Sequence, residues 1–119
     1  MQNMQNLLKF YRKNSSTIIL DVCDYTFKDG DTLYFTVKTA PDNDETDDSA
    51  LIKASWTIGT DVTVDPYDNT IDLKLTAEQT DIDFGQYFYD IKLVENNETA
   101  ENTLITGNIA IMDVATLRV

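Results

Sequence analysis

Hydrophobic and polar residues alternate along most of this chain in short runs, with turn-forming residues between them. That period of two is the mark of half-buried strands. Ile18, Leu20 and Val22 share one face of a first strand, and Leu33, Phe35 and Val37 share one face of the next, with Tyr34, Thr36 and Lys38 opposite. Asp29-Gly30 between them suits positive φ in a tight turn, which predicts that these two strands pair. Ile52, Ala54, Trp56 and Ile58 alternate with Lys53, Ser55 and Thr57, placing the single Trp on an inward face of the third strand. Val62 and Val64 predict a short edge strand before the turn Pro66-Tyr67-Asp68-Asn69. Ile71, Leu73 and Leu75 form a further inward set, and residues 76–81 predict a single helical turn that carries the chain between sheets. Tyr87, Tyr89, Ile91 and Leu93 face inward on the next strand, and a polar loop over 95–98 leads to a last strand with Ile105, Ile109 and Ile111. Gly107 is expected to mark a bulge or a close backbone approach there.

The expected fold class is therefore all-β, an antiparallel sandwich of about seven strands. Asp83-Phe84-Gly85-Gln86-Tyr87-Phe88-Tyr89 narrows this to an immunoglobulin-like sandwich. An Asp-x-Gly-x-Tyr run is what a tyrosine corner looks like, with Tyr89 standing where disulfide-bonded domains place a Cys. Gly85, Tyr87, Tyr89 and the inward Trp56 are accordingly expected to be structural residues. Residues 14–119 make one such domain, preceded by residues 1–13 as an arm or added strand; Leu8, Phe10 and Arg12 fit a strand, while Met4, Leu7, Leu8 and Tyr11 fit a helix face.

Charge changes the picture of partners. The chain of 119 residues carries 21 acids and 9 bases, net −12. Its first thirteen residues hold Lys9, Arg12 and Lys13 and no acid, leaving −15 on the body. Such a body repels nucleic-acid phosphates and anionic membranes, so neither is an expected partner. The apolar runs are far too short to cross a bilayer, and no basic segment followed by an apolar stretch opens the chain. Synthesis in a cytoplasm without a signal peptide is the expectation. The arm residues Leu8, Lys9, Phe10, Tyr11, Arg12 and Lys13 are candidates for partner binding by added-strand pairing with a neighbouring subunit, possible as a homo-oligomer; folding back on their own sandwich is the equal alternative.

Candidate chemistry adds little. With no His, one Cys and no phosphate loop, the usual parts for general-base, nucleophilic and nucleotide chemistry are missing, and no enzyme activity, catalytic residue or cofactor is expected. Cys23 reads as a small strand residue. The loop over 41–49 contains six acids or amides and no apolar residue, and should be solvated. Asp42, Asp44 and Asp47 are weak calcium candidates: the alternate acids begin a calcium loop, but Asp47 occupies the place of the turn Gly and Lys53 that of the closing Glu. Asp61, Asp65 and Asp68 are a second acid group that could cluster at one end of the sandwich. Tyr34, Tyr67 and Phe88 fall outward and would matter for binding if they formed one patch.

Taken together, Gly30-Asp31-Thr32-Leu33-Tyr34-Phe35-Thr36-Val37-Lys38, Gly85-Gln86-Tyr87-Phe88-Tyr89-Asp90-Ile91-Lys92-Leu93 and Thr103-Leu104-Ile105-Thr106-Gly107 resemble the N-terminal domain of upper baseplate proteins from tailed phages and prophages of Gram-positive bacteria. The resemblance implies an immunoglobulin-like adaptor, a non-enzymatic virion component made in the bacterial cytoplasm that acts through protein partners in a tail or baseplate. Proteins of that family continue into helices and distal domains, so a minor tail or head component and a part of something longer are both open. The alternative is a free-standing immunoglobulin-like module of a bacterial surface or extracellular assembly that recognises carbohydrate or protein.

Overall fold

The computed structural model describes residues 7–21, 25–39 and 50–113. Seven strands follow one another: β1 (Leu7–Tyr11), β2 (Ser16–Asp21), β3 (Thr32–Lys38), β4 (Ile52–Thr57), β5 (Thr70–Leu75), β6 (Gly85–Val94) and β7 (Asn102–Met112). They form a five-stranded sheet in the order β1-β7-β6-β3-β4 and a two-stranded sheet of β2 and β5. The centre of β3, β6 and β7 is extended by β4, as in variable-type immunoglobulin sheets, and faces the β2–β5 pair. The chain is an all-β, immunoglobulin-like sandwich.

Alternation in the sequence becomes alternation in burial. The inward residues of β3, Leu33, Phe35 and Val37, are fully buried, and those of β5 (Ile71, Leu73, Leu75) and β6 (Tyr89, Ile91, Leu93) meet them in one core cluster. Each such side chain contributes about 1.5–3 kcal/mol through its burial. Phe35 lies at the middle of the core, with its ring centroid 5.7 Å from Tyr89 and 6.5 Å from Trp56.

Several expectations change in detail. Asp29-Gly30 does make a turn, with Asp31 N donating to Lys28 O at 3.0 Å, but it does not join a hairpin. Strand β2 pairs with β5 and β3 pairs with β4 and β6, so the turn carries the chain from one sheet to the other. Trp56 is inward but sits on β4 at the sheet edge, and the buried aromatic of the interior strand β3 is Phe35. Val62 forms only an isolated bridge to Ile58, not an edge strand. Gly107 stands in regular register opposite Tyr89; the irregularity falls where Ile91 pairs with Ile105 and Lys92 with Thr103, leaving Leu104 extra. Val22, Cys23 and the loop with Asp42, Asp44 and Asp47 lie outside the described residues.

The connection from β5 to β6 is the helical turn its sequence predicts. Thr76 N donates to Gln79 Oε1 at 2.9 Å while Gln79 N donates to Thr76 Oγ1 at 3.1 Å, a reciprocal capping box. Thr80, fully buried, directs its hydroxyl at Asn14 O (2.8 Å) and Ala77 O (3.1 Å), which ties this turn to the β1–β2 connection.

A candidate protein-contact face

Residues 7–11 are a strand, and they pair in parallel with β7 of the same chain, from Leu7 opposite Asn108 to Tyr11 opposite Met112. The sandwich is thus not wholly antiparallel, and the arm folds back on its own body. The physical reason is Phe10, which enters the core at 4% exposure, with Leu8 packed beside it. Arg12 extends the ladder by donating its N–H to Met112 O at 2.8 Å, and its guanidinium lies 3.6 Å from Asp81 and 4.0 Å from Asp113. Of the arm's candidate partner residues, Leu8, Phe10 and Arg12 are engaged at home, while Lys9, Tyr11 and Lys13 are exposed.

What the arm does is widen the larger of the two described sheets to five strands. Reading across by register, Lys38 stands beside Phe88, which stands beside Asn108; in another row Lys53, Thr36, Asp90 and Thr106 adjoin; in a third, Ser55, Tyr34 and Lys92. Tyr34 is 43% and Phe88 36% exposed, and Tyr11 and Met112 form an exposed pair at the far edge. Tyr34 and Phe88 share this face, roughly 14 Å apart by strand spacing and rise, with Thr36 and Asp90 between them. Tyr67, at 94% exposure, projects from the β4–β5 connection and does not join them.

The end of the sandwich that holds the β2–β3, β4–β5 and β6–β7 connections is organised by a residue that sequence reading missed. Asp31 is buried; its Oδ2 accepts from Lys28 N at 2.9 Å and its Oδ1 from Asn96 N at 3.0 Å. Its own C=O accepts from Ile58 N at 2.8 Å, so three connections meet on one residue. Gly30 beside it has φ +96° and leaves no room for a Cβ, which would lie 2.6 Å from the Asn96 side chain. Nearby, Tyr25 donates its hydroxyl to Glu95 at 3.1 Å. Partial burial first, and the Glu95 carboxylate second, push its ionisation up to about 12.

The acids Asp61, Asp65 and Asp68 do not form a cluster. Asp61 Oδ2 accepts from Thr57 N at 2.9 Å, and Asp65 Oδ1 accepts from Tyr67 N at 2.8 Å and Asp68 N at 3.1 Å, so two of the three are used inside their own turns. Those two backbone donors hold the Asp65 carboxyl below its ordinary range. Among the described residues no group of three or more metal-ligating side chains is gathered. A groove of about 530 Å³ runs along the β4–β5 connection and β5, lined by Trp56, Val64, Asp65, Pro66, Asp72 and Lys74.

The corner takes the form its sequence suggests. The Tyr87 hydroxyl donates to Asp83 O at 2.8 Å, and Gly85 between them adopts φ +150°, a conformation that side chains resist although a Cβ there would meet only ordinary contacts with the Tyr87 ring. Tyr89, two residues on, is buried against Phe35 where disulfide-bonded domains have their cystine, and burial pushes its phenol up.

No protein-family model matches the sequence, and no curated protein does. Among solved structures the chain is similar to the extracellular domain of the voltage-gated sodium channel beta4 subunit, a protein described as a parallel homodimer with a role in cell-cell adhesion. Identity is 16%, over 96% of this chain and 98% of that one, with a TM-score of 0.31. Strand order and register carry the fold on their own.

Proposed function

We propose that this chain is a non-catalytic structural adaptor of a tailed-phage or prophage virion, and that it docks on a protein partner through the outer face of its five-stranded sheet. The observation that carries the docking is that face itself. It spans five strands, with one irregularity between β6 and β7, and it displays Tyr34 and Phe88, rings of the kind that anchor protein interfaces. The virion context rests on the sequence resemblance in β3, β6 and β7. The non-catalytic role rests on a composition with no His and one Cys. Particles purified after induction of the strain that carries the gene should react with antibody to this chain. Particles that lack it would overturn the virion reading.

The groove over Trp56 favours a second reading, a free-standing module that takes carbohydrate against an indole ring and flanking carboxylates. Amide shifts at Trp56 and Asp72 on titration with neutral oligosaccharides would support it, and unchanged spectra would remove it.

A further inference from the structure

Strand β5 has β2 on one side and, among the described residues, no strand on the other. The turn before β5 donates Asp65 N–H to Thr70 O at 2.8 Å, so that carbonyl points away from β2 and marks the free edge. In an antiparallel pair the backbone groups of alternate residues point the same way, which puts the N–H and C=O of Asp72 and of Lys74 on this edge as well. Among the described residues no backbone group bonds to these four. Thr70, Asp72 and Lys74 are also the β5 residues that line the groove, together with Val62, Val64 and Trp56.

We propose that this edge takes an extended segment of a partner protein as a third strand, antiparallel to β5. Two residues of the segment, one apart from the other by a single position, exchange both backbone hydrogen bonds with Asp72 and with Lys74. Their side chains share the outer face with those of Asp72 and Lys74, and the residue between them turns inward to Trp56 and Val64. The segment that fits therefore carries an acid opposite Lys74, an apolar residue, and a base opposite Asp72. Both charges are available for it. Asp72 and Lys74 stand beside Ile19 and Thr17 on β2, and neither is in an ion pair among the described residues. Charges on a bare edge ordinarily deter strands, whereas a pair of opposite sign deters all but a matching one. A sugar has no row of donors and acceptors at strand spacing to set against the four backbone groups. The edge belongs to the sheet opposite the proposed docking face, and either can bind without the other.

The test adds the peptide Thr-Thr-Glu-Val-Lys-Thr-Thr to the isotope-labelled full chain and follows amide exchange and affinity. The Asp72 and Lys74 amides should exchange fast in the free chain and slow about tenfold at saturation, while those of Ile71 and Leu73, bonded to β2, stay as they are. The peptide with Glu and Lys exchanged should bind about fivefold more weakly, and Asp72→Lys/Lys74→Asp, exposed at both positions, should reverse that preference. Asp72 and Lys74 amides already slow in the free chain, amides that stay fast with the peptide, or equal affinity for the two peptides would overturn the proposal. So would a neutral oligosaccharide that binds the groove where the peptide does not.

Discussion

The Tyr87 hydroxyl donates a 2.8 Å hydrogen bond to the carbonyl of Asp83, four residues upstream, and so fixes the corner through which the chain enters β6. The bond is exposed, so water takes over part of it when the hydroxyl goes and the loss stays modest. Tyr87→Phe is expected to lower stability by about 1 kcal/mol, read as an earlier urea midpoint with unchanged slope, and to leave partner binding intact. A variant as stable as wild type that lost its partner would contradict a purely structural role.

Phe35 is fully buried between Tyr89 and Trp56 and has no solvent-facing route for relaxation. Phe35→Ala should cost about 3–5 kcal/mol, a large part of the stability of a domain this size, and leave the chain mostly unfolded at 37 °C. Circular dichroism melting would show it.

Asp31→Ala would leave the N–H groups of Lys28 and Asn96 without their acceptor at a buried junction. The expected loss is about 1–3 kcal/mol. Hydrogen exchange should quicken in the connections around residues 28 and 96 before the strands are affected.

Acid should loosen the turn at Asp65. Its folded carboxyl sits below the ordinary range, so the unfolded chain binds a proton first. The contribution is present above the unfolded value and is lost as pH falls through the folded one. Asp65→Asn should therefore flatten this part of the acid limb of a stability–pH curve. Tyr25 works in the other direction: raised to about 12, it favours the fold below its ordinary value of 10.0 and loses that effect as pH rises toward 12. Tyr25→Phe should make the alkaline limb shallower.

Removing residues 1–13 takes Phe10 out of the core and uncovers the β7 edge. Loss of stability with no fall in oligomeric mass, by light scattering, is expected from an arm that folds back on its own sandwich. A drop in mass with stability kept would restore the arm as an intersubunit strand.

Much of this fold is legible because inward and outward residues alternate strictly: the sets in β3, β5 and β6 are readable one residue at a time. The corner is legible because Asp83, Gly85 and Tyr87 are local to one another. Pairing is less so. Asp29-Gly30 offers a hairpin, and only the need of β2 to cover the core from the opposite sheet sends the chain across. Trp56 is readable as inward but not as an edge residue, since periodicity carries no information about strand order. The roles of Asp31 and Thr80 depend on partners 65 and 66 residues away, Asn96 and Asn14, which no local pattern contains. The capping box did carry a signal, Thr76-x-x-Gln79, ahead of the buried Thr80. The proposed contact face combines both cases: Tyr34 and Phe88 read as outward singly, and only the β3–β6 register puts them on one surface with Lys38 and Lys92.

If the proposed face holds the chain to a virion partner, its two rings decide whether the chain is incorporated. The direct measurement is the amount of chain, by quantitative immunoblot, in particles purified from strains carrying wild type or the Tyr34→Ser/Phe88→Ser variant, each shown folded by circular dichroism. Chain is expected in wild-type particles at a fixed ratio and should be lost from those of the variant. Wild-type particles without the chain, or variant particles with as much of it, would rule this docking out.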